Sequence, residues 1–499
     1  MTYKTKYRIL EMIPGIVLWG AFILAISLSF LKPLWIIYFI IVYDFFWFLR
    51  IFNFVIYIFA SHKKLKEVDG INWFSKVKKT DGWDDLYHVV LMPAYKEPYK
   101  VLRDSLQGLV DADYDSKKFI VIISKEERSG KEQLEQYEKD KADLQEKYSH
   151  FFKDLIFYIH PSDIPGELPG KGSNDTWAAK KFTKEYVDPQ NIPHEKIIIS
   201  TFDVDTFVYP QYFSRLTYLW LKAEDPHRHS YQPLALYNNN IWDAPPFARV
   251  IAYSTTFWHL TEKAKPDRLL TFTSHAMSFK TLVDVGYWEN DIVTEDSRIF
   301  LQCFDKYDGD YSTIPMYVPI SMDTVMSSNL KETAKGQYRQ MRRWAWSVEH
   351  FPWMIIHFAR NKKISFFKKF KYLFNQFEGQ FSWATAPIFM FVLGQLPFLV
   401  AANKGLKEAV VQNGPFILSL LMTFSMVGIV ICTVFSFRFI PKRPENKNRF
   451  DAFVMIIQWM LVPFTMIAFG SVPDMDAQTR LLLGGKFRLG FDVTEKHRK

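Results

Sequence analysis

The chain has 499 residues, enough for about three domain equivalents, with 23% charged residues and a formal net charge of +9. That balance excludes an acidic disordered chain and any collagen-like or low-complexity protein. There are two cysteines, Cys303 in the polar middle and Cys432 in an apolar run. They make no disulfide framework and, without histidines at ligand spacing, no zinc site.

The apolar residues gather at the two ends. Residues 13–31 carry no charge and follow a basic start with Lys4, Lys6 and Arg8, so they are long enough to cross a bilayer. A cleaved signal is the competing reading, but a second apolar run (34–60) follows at once and no small-x-small cleavage site ends the first. Asp44 and Arg50 lie in that second run, six apart and so on different helix faces. Asp44 is expected to face a neighbouring helix and Arg50 to mark the water boundary. From 61 to about 345 the chain reads as a globular α/β domain. Strands are predicted at 88–92, 119–123 (FIVII), 155–159 and 196–200, with a charged helix at 130–149. This alternation argues for a mainly parallel sheet, whose ligands bind beyond the carboxyl ends of the strands.

Residues 347–377 are amphipathic: Phe351, Met354, Ile355 and Phe358, then Phe366, Phe370, Leu373, Phe374 and Phe377, repeat at helical spacing among lysines. Such helices are expected in the membrane interface. No aromatic and basic pattern on a strand platform points to nucleic acid. Three more apolar runs follow, about 382–402, 415–440 and 452–472. The basic N-terminus, 61–66 segment and 441–451 loop place the N-terminus and the central domain in the cytoplasm. Five simple crossings would leave the tail outside, yet it carries Arg480, Lys486, Arg488, Lys496, Arg498 and Lys499. A re-entrant or broken last segment, with Pro463 at its middle, reconciles count and charge.

Three clusters suit chemistry. Asp203-Val204-Asp205 follows a predicted strand, and two such carboxylates suit Mg²⁺ or Mn²⁺ together with phosphate oxygens. Thr294-Glu295-Asp296 precedes an apolar helical stretch. Thr294 reads as an N-cap with two acids in the first turn, or Asp296 as a general base. In Gln340-Met341-Arg342-Arg343-Trp344 Arg343 suits a diphosphate and Trp344 a sugar face, although a basic membrane-proximal helix explains the run equally.

Taken in order, and with Pro93-Ala94-Tyr95-Lys96-Glu97 after the first strand, the chain resembles membrane-embedded family 2 glycosyltransferases. These are the cellulose, chitin and hyaluronan synthases and related bacterial polysaccharide synthases. The family's pattern is a P-x-x-N-E-like loop, D-x-D, T-E-D and Q-x-x-R-W. Gly170-Lys171-Gly172-Ser173-Asn174 resembles its lysine-containing nucleotide loop, and Phe491, Val493, Thr494 and Lys496 its F-x-V-T-x-K tail. One departure stands out: where the family has a uracil-reading aspartate after the second strand, this chain has Ser124-Lys125-Glu126-Glu127. Either Glu126 substitutes or base recognition is altered.

The resemblance implies an α/β GT-A domain, a Rossmann-like mixed sheet, inserted between transmembrane helices. The implied division is 1–60 N-terminal spans, 61–346 cytoplasmic GT-A domain, 347–380 interfacial helices, 381–472 C-terminal spans and 473–499 basic cytoplasmic tail. It implies inverting transfer from a nucleotide-diphosphate sugar, expected to be a UDP-sugar, to a polysaccharide or lipid acceptor at the plasma membrane. Asp296 would be the base, flanked by Thr294 and Glu295. Asp203 and Asp205 would hold Mg²⁺ or Mn²⁺. Pro93, Tyr95, Glu97, Glu126, Lys171, Asp203, Gln340, Arg343 and Trp344 would contact donor or acceptor. Ser274 and His275 are expected on the acceptor side. Two other readings stay open: single glycosylation of a membrane lipid, since Q-x-x-R-W also occurs in ceramide glucosyltransferases, and a catalytically silent membrane component.

Overall fold

The computed structural model describes residues 2–490. The central domain is built on strands β1 (Tyr87–Ala94), β2 (Phe119–Glu126), β3 (Asp154–His160), β4 (Ile197–Thr201), β5 (Phe207–Val208), β6 (His229–Tyr237), β7 (His275–Ser278) and β8 (Ser312–Met322). They form one sheet in the order β3-β2-β1-β4-β7-β6-β8-β5. β1, β2, β3 and β4 run parallel, whereas β7 is antiparallel to β4 and β6, and β5 is antiparallel to β8. All residues of β2 and β4 are buried, as continuous apolar strands covered by helices on both faces must be. The four predicted strands are present, the first three two or three residues longer than predicted and the fourth shifted by one residue. β5 to β8 have no separate prediction: β6 (HSYQPLALY) and β8 (STIPMYVPISM) carry internal prolines that blur a strand pattern.

β2 runs three residues past the apolar FIVII stretch, through Ser124, Lys125 and Glu126. Its polar end is buried at the carboxyl edge of the sheet, where Glu126 pairs with Arg128, Lys125 Nζ lies 5.4 Å from the Tyr137 ring and the Ser124 carbonyl accepts from Asn174 at 2.7 Å. The charged helix, Lys131–Tyr148, buries only Tyr137, Leu144 and Tyr148, and the Tyr137 hydroxyl donates to the Ile123 carbonyl at 3.1 Å.

All five apolar runs are helical. Four helical stretches are long and apolar enough to cross a membrane: Tyr3–Leu31, Pro33–Asp69, Ala409–Phe439 and Arg449–Leu483. A fifth candidate is the pair Phe366–Phe391 and Leu393–Asn403, bent by 51°. The strong bend therefore falls at Val392 rather than at Pro463. Pro463 sits in the first turn of a short helix, between a 3₁₀ turn at Gln458–Leu461 and a π turn at Ile467–Ser471, where its missing N–H costs little.

That last run touches the α/β domain along its whole length. Lys447, just before it, pairs with Asp243 at 2.8 Å. The Trp459 ring lies 6.2 Å from Tyr253 and 5.9 Å from Phe257, and Phe469 stacks on Phe247 at 5.2 Å. Asp476 accepts from Arg342 at 3.0 Å and Tyr338 at 3.1 Å. Its end packs against the start of the first helix, where a Cβ on Gly15 would lie 2.9 Å from the Gln478 carbonyl oxygen. Glycine is what permits that approach.

The interfacial expectation splits in two. In the helix His350–Arg360, Met354 and Phe358 are 1% exposed and belong to the domain core. In the helix that begins at Phe366, the rings of Phe366, Phe370 and Phe374 stack in a row and are exposed. This helix runs unbroken to Phe391, so no boundary falls at 380. Its lysines mostly bind the domain: Lys368 donates to the Gly309 carbonyl, Lys369 to that of Asn361, and Lys371 to Asp267. Arg50, expected at a water boundary, instead pairs with Glu378 and lies 4.8 Å from the Trp47 ring, while Asp44 is buried.

Candidate active site

The loop after β4 carries Asp203 and Asp205. The Asp203 N–H donates to Ser274 Oγ at 3.2 Å, and the Thr206 N–H to the Asp203 carbonyl at 2.8 Å, which closes the turn. Asp205 is buried, and its Oδ2 accepts from the Asp323 N–H at 2.9 Å. Asn239 donates to the Asp205 carbonyl at 3.1 Å and to Asp323 at 2.9 Å.

Lys171 opens the helix Lys171–Phe182 and is buried. Its Nζ lies 2.8 Å from Asp203 Oδ1 and 2.9 Å from Asp296 Oδ1, so one ammonium joins two motifs 93 residues apart. Burial opposes its charge, but the Asp203 and Asp296 carboxylates hold the ammonium well above its usual range. The residue after it must be small, because a Cβ on Gly172 would lie 3.0 Å from the Glu295 side chain.

Thr294 lies at the start of the helix Glu295–Lys306, as predicted, but makes no side-chain cap. Its hydroxyl instead donates to Glu349 Oε1 at 2.8 Å. Glu295 is buried, and burial, with Asp296 beside it, pushes its carboxyl up to about 7. Asp296 keeps 24% of its side chain exposed. Its carboxyl is raised by burial and held down by Lys171 and Arg343.

Gln340, Arg343 and Trp344 lie on the helix Leu330–Ala345. Gln340 is buried and accepts from Gln337 at 3.4 Å. The Trp344 ring is 5.9 Å from that of Tyr237, at the end of β6. Burial, and then the charges of Asp203, Asp205 and Asp296, push the Tyr237 hydroxyl far above its usual value, with Arg343 opposing them. Tyr237 is thus where the three motifs meet, and nothing in the sequence marks it.

Pro93, Tyr95 and Glu97 lie at and just beyond the end of β1; Pro93 pairs with Ser124 in register. The Tyr95 N–H donates to Glu97 Oε2 at 2.6 Å. Glu126, at the end of β2, is buried and accepts from Arg128 Nη2 at 3.0 Å, and the guanidinium lies 4.5 Å from the Tyr95 ring. At the expected aspartate position the structure therefore places a carboxylate–guanidinium pair beside an aromatic ring.

Ser274 Oγ holds the Asp203 loop, and His275 Nδ1 bonds the Thr273 carbonyl at 2.9 Å, with burial lowering its imidazolium to about 4. Thr273, which the sequence does not single out, donates to Asp203 Oδ2 at 3.1 Å with φ at +46°. Positive φ is costly for a β-branched residue and marks a strained, over-determined position.

Among the described residues no group of three or more His, Cys, Asp or Glu forms a metal cage. Two carboxylates on one turn fit a hard cation that arrives with phosphate oxygens, because Mg²⁺ takes one or two carboxylates and completes its shell with substrate and water. The amides opening the Lys171 helix also favour an anion there. The F-x-V-T-x-K segment at 491–496 lies outside the described residues.

Residues 198–470 match the family model described as glycosyl transferase family group 2. Solved structures to which the chain shows similarity include the mannosyltransferase PcManGT from Pyrobaculum calidifontis in complex with GDP-Man and Mn²⁺. It is 14% identical, covers 76% of this chain and 98% of its own, and has a TM-score of 0.42. S. aureus TarS is 12% identical and covers 70% of this chain and 55% of its own, with a TM-score of 0.34. TarS 1-349 in complex with UDP-GlcNAc is 13% identical, covers 72% and 93%, and has a TM-score of 0.36. No curated protein sequence matches the chain.

Proposed function

The chain belongs to glycosyl transferase family group 2, and from that premise we propose that it transfers a sugar, with inversion, from a nucleotide-diphosphate sugar to a growing polysaccharide at the cytoplasmic face of a membrane, processively and coupled to export. The observation that carries this reading is the meeting of Asp203 and Asp296 on Lys171 Nζ, with Asp205 and Arg343 acting on the same Tyr237 and Trp344 packed against it.

Asp296 Oδ takes the proton of the acceptor hydroxyl. The freed oxygen attacks the anomeric carbon, and the bond to the diphosphate breaks with its electron pair leaving on the diphosphate. Lys171 and Arg343 offset that charge, the largest electrostatic contribution expected. A divalent cation held by Asp203 and Asp205 would add further neutralisation of the diphosphate. Trp344 offers a ring face to the acceptor sugar. Tyr95, Glu126 and Arg128 form the base-reading edge, Glu126 accepting from a ring N–H of uracil. Pro93, Glu97 and Gln340 shape the surrounding loops.

The membrane layout supports export. The second helix returns to the domain, where Ser61 Oγ donates to the Leu260 carbonyl at 2.6 Å. Ala409–Phe439 returns there too, where Asn238 donates to the Phe439 carbonyl at 2.8 Å. The run 449–483 stays against the domain. The reading is therefore four crossings, with residues 61–346 and the basic tail cytoplasmic and the last run lying in the interface. Single cysteines at 405, 445 and 490, with Cys303 and Cys432 replaced, test it. An impermeant thiol reagent on intact cells should label 405 alone. Labelling at 490 would mean that the last run crosses.

Mass spectrometry of the products made by purified protein from a panel of nucleotide sugars tests the function itself. A ladder of chain lengths is expected. One sugar added to a lipid would replace the polymer reading, and neither hydrolysis nor transfer with any donor would sink both.

A further inference from the structure

A second set of buried polar groups stands behind Thr294-Glu295-Asp296. Glu349 is buried at the start of the helical segment that leads towards the membrane-facing Phe366 helix. Its Oε1 accepts from the Thr294 hydroxyl at 2.8 Å and its Oε2 from Trp346 Nε1 at 2.9 Å. One turn into the Glu295 helix, Arg298 is 1% exposed. Its Nη1 reaches Glu289 Oε2 at 2.6 Å, its Nε donates to His350 Nδ1 at 3.1 Å, and its Nη2 donates to the Glu349 carbonyl at 3.4 Å. His350 Nε2 pairs with Ser297 Oγ at 2.8 Å, and Trp353 Nε1 donates to Glu289 Oε1 at 3.0 Å.

Thr294 and Arg298 thus bracket Asp296 along the start of the helix, and both are held by groups from one buried segment, 346–353. A helix start normally takes its own side-chain cap. Here the threonine forgoes that bond and its hydroxyl is drawn to Glu349. What such an anchor fixes is the rotation of the first turn about its axis, and with it the direction of the Asp296 carboxylate. Among the described residues the Asp296 carboxylate is held by Lys171, an ammonium that it shares with Asp203.

We propose that Glu349, through Thr294, and Arg298 are positioning residues that set the angle of the Asp296 carboxylate to the acceptor hydroxyl, so that the buried segment 346–353 aims the base. This rests on the reading of Asp296 as the base. Small misplacements of a reacting group cost up to about 10²-fold in rate, so the pair acts on turnover and leaves donor binding at Asp203 and Asp205 alone.

The test uses the full-length protein with Thr294→Val, Thr294→Ser, Glu349→Met and the double variant Thr294→Val/Glu349→Met. Thr294→Val leaves a buried Glu349 oxygen without its donor, whereas Glu349→Met removes both carboxylate oxygens and so also strands Trp346 Nε1. The double variant is therefore read against Glu349→Met, over which loss of the Thr294 hydroxyl should cost little further Tm. In a purely structural contact kcat follows Tm across the set. A positioning contact leaves kcat about 10- to 100-fold low in Thr294→Val and in the double variant alike, with donor KM within about 2-fold, while Thr294→Ser stays near wild type. A kcat that follows Tm across the set, or wild-type kcat in folded Thr294→Val, overturns the proposal. If Glu349→Met does not fold, the contrast of Thr294→Val with Thr294→Ser decides alone. Asp296→Asn separates the two readings: if it keeps its turnover, the base assignment falls and this proposal with it. If it is inactive while Thr294→Val is normal, the positioning proposal alone fails.

Discussion

Asp296→Asn should lower turnover by about 10²–10⁴ while donor binding survives. The substitution keeps shape and an oxygen able to accept from Lys171 Nζ, which lies 2.9 Å away, so the local packing changes little. A helix-start role alone predicts something far smaller. Asp296 sits in the first turn of the helix Glu295–Lys306, where loss of a carboxylate costs about 0.3–1 kcal/mol through the helix dipole, an effect on stability and not on rate. Asp296 is a quarter exposed, as a base that must meet a substrate hydroxyl has to be, while Glu295 beside it is 4% exposed and faces Gly172. Burial also raises the Asp296 carboxyl from its ordinary value, towards the range where a base is most effective. Measured on folded protein, near-normal turnover with intact donor binding would defeat the assignment.

The parts of this site legible in the sequence were those carried by ordered motifs and by apolar strands. FIVII and IIIST read as buried strands because both faces are covered, and the carboxyl ends of β1, β2 and β4 hold Tyr95, Glu126 and Asp203 as an open α/β sheet predicts. The residues that sequence reading passed over act through tertiary contact. Tyr237 ends a strand that looks unremarkable, yet its ring packs 5.9 Å from Trp344 and its hydroxyl feels the charges of Asp203, Asp205 and Asp296. Thr273 matters because its φ is +46°, which no local pattern announces. Thr294 was read as a cap from its position alone, and the nearby Glu349 carboxylate took its hydroxyl instead. The membrane edge shows the same limit. Pro463 looked like a breaker, but a proline in the first turn of a helix is tolerated, and the 51° bend came at Val392. Apolar length likewise does not announce that 449–483, one of the four stretches long enough to cross a membrane, also packs on the domain through Trp459, Phe469 and Asp476.

Removal of divalent cations should abolish turnover, and Mg²⁺ or Mn²⁺ should restore it. The argument is one of charge. Asp203, Asp205, Glu295 and Asp296 cluster with Lys171 and Arg343. With burial raising Glu295 to about 7, the set is singly to doubly negative before any donor arrives. A nucleotide-diphosphate sugar brings two further negative charges to the same place. Each like-charge contact at about 4 Å costs on the order of 4 kcal/mol at an effective dielectric of 20, so several at once exceed what one shared ammonium offsets. Lys171 is already engaged with two carboxylates, and Arg343 must serve the departing diphosphate. In the proposed site Asp203 and Asp205 would hold a divalent cation, whose charge would meet that deficit. Turnover assayed after EDTA treatment and desalting, then with each metal added back, decides the matter. The opposite outcome has a clear meaning. If metal-free protein keeps full activity and Lys171→Ala abolishes it, the lysine itself supplies the needed charge, and Asp203 and Asp205 orient that ammonium instead of binding a metal.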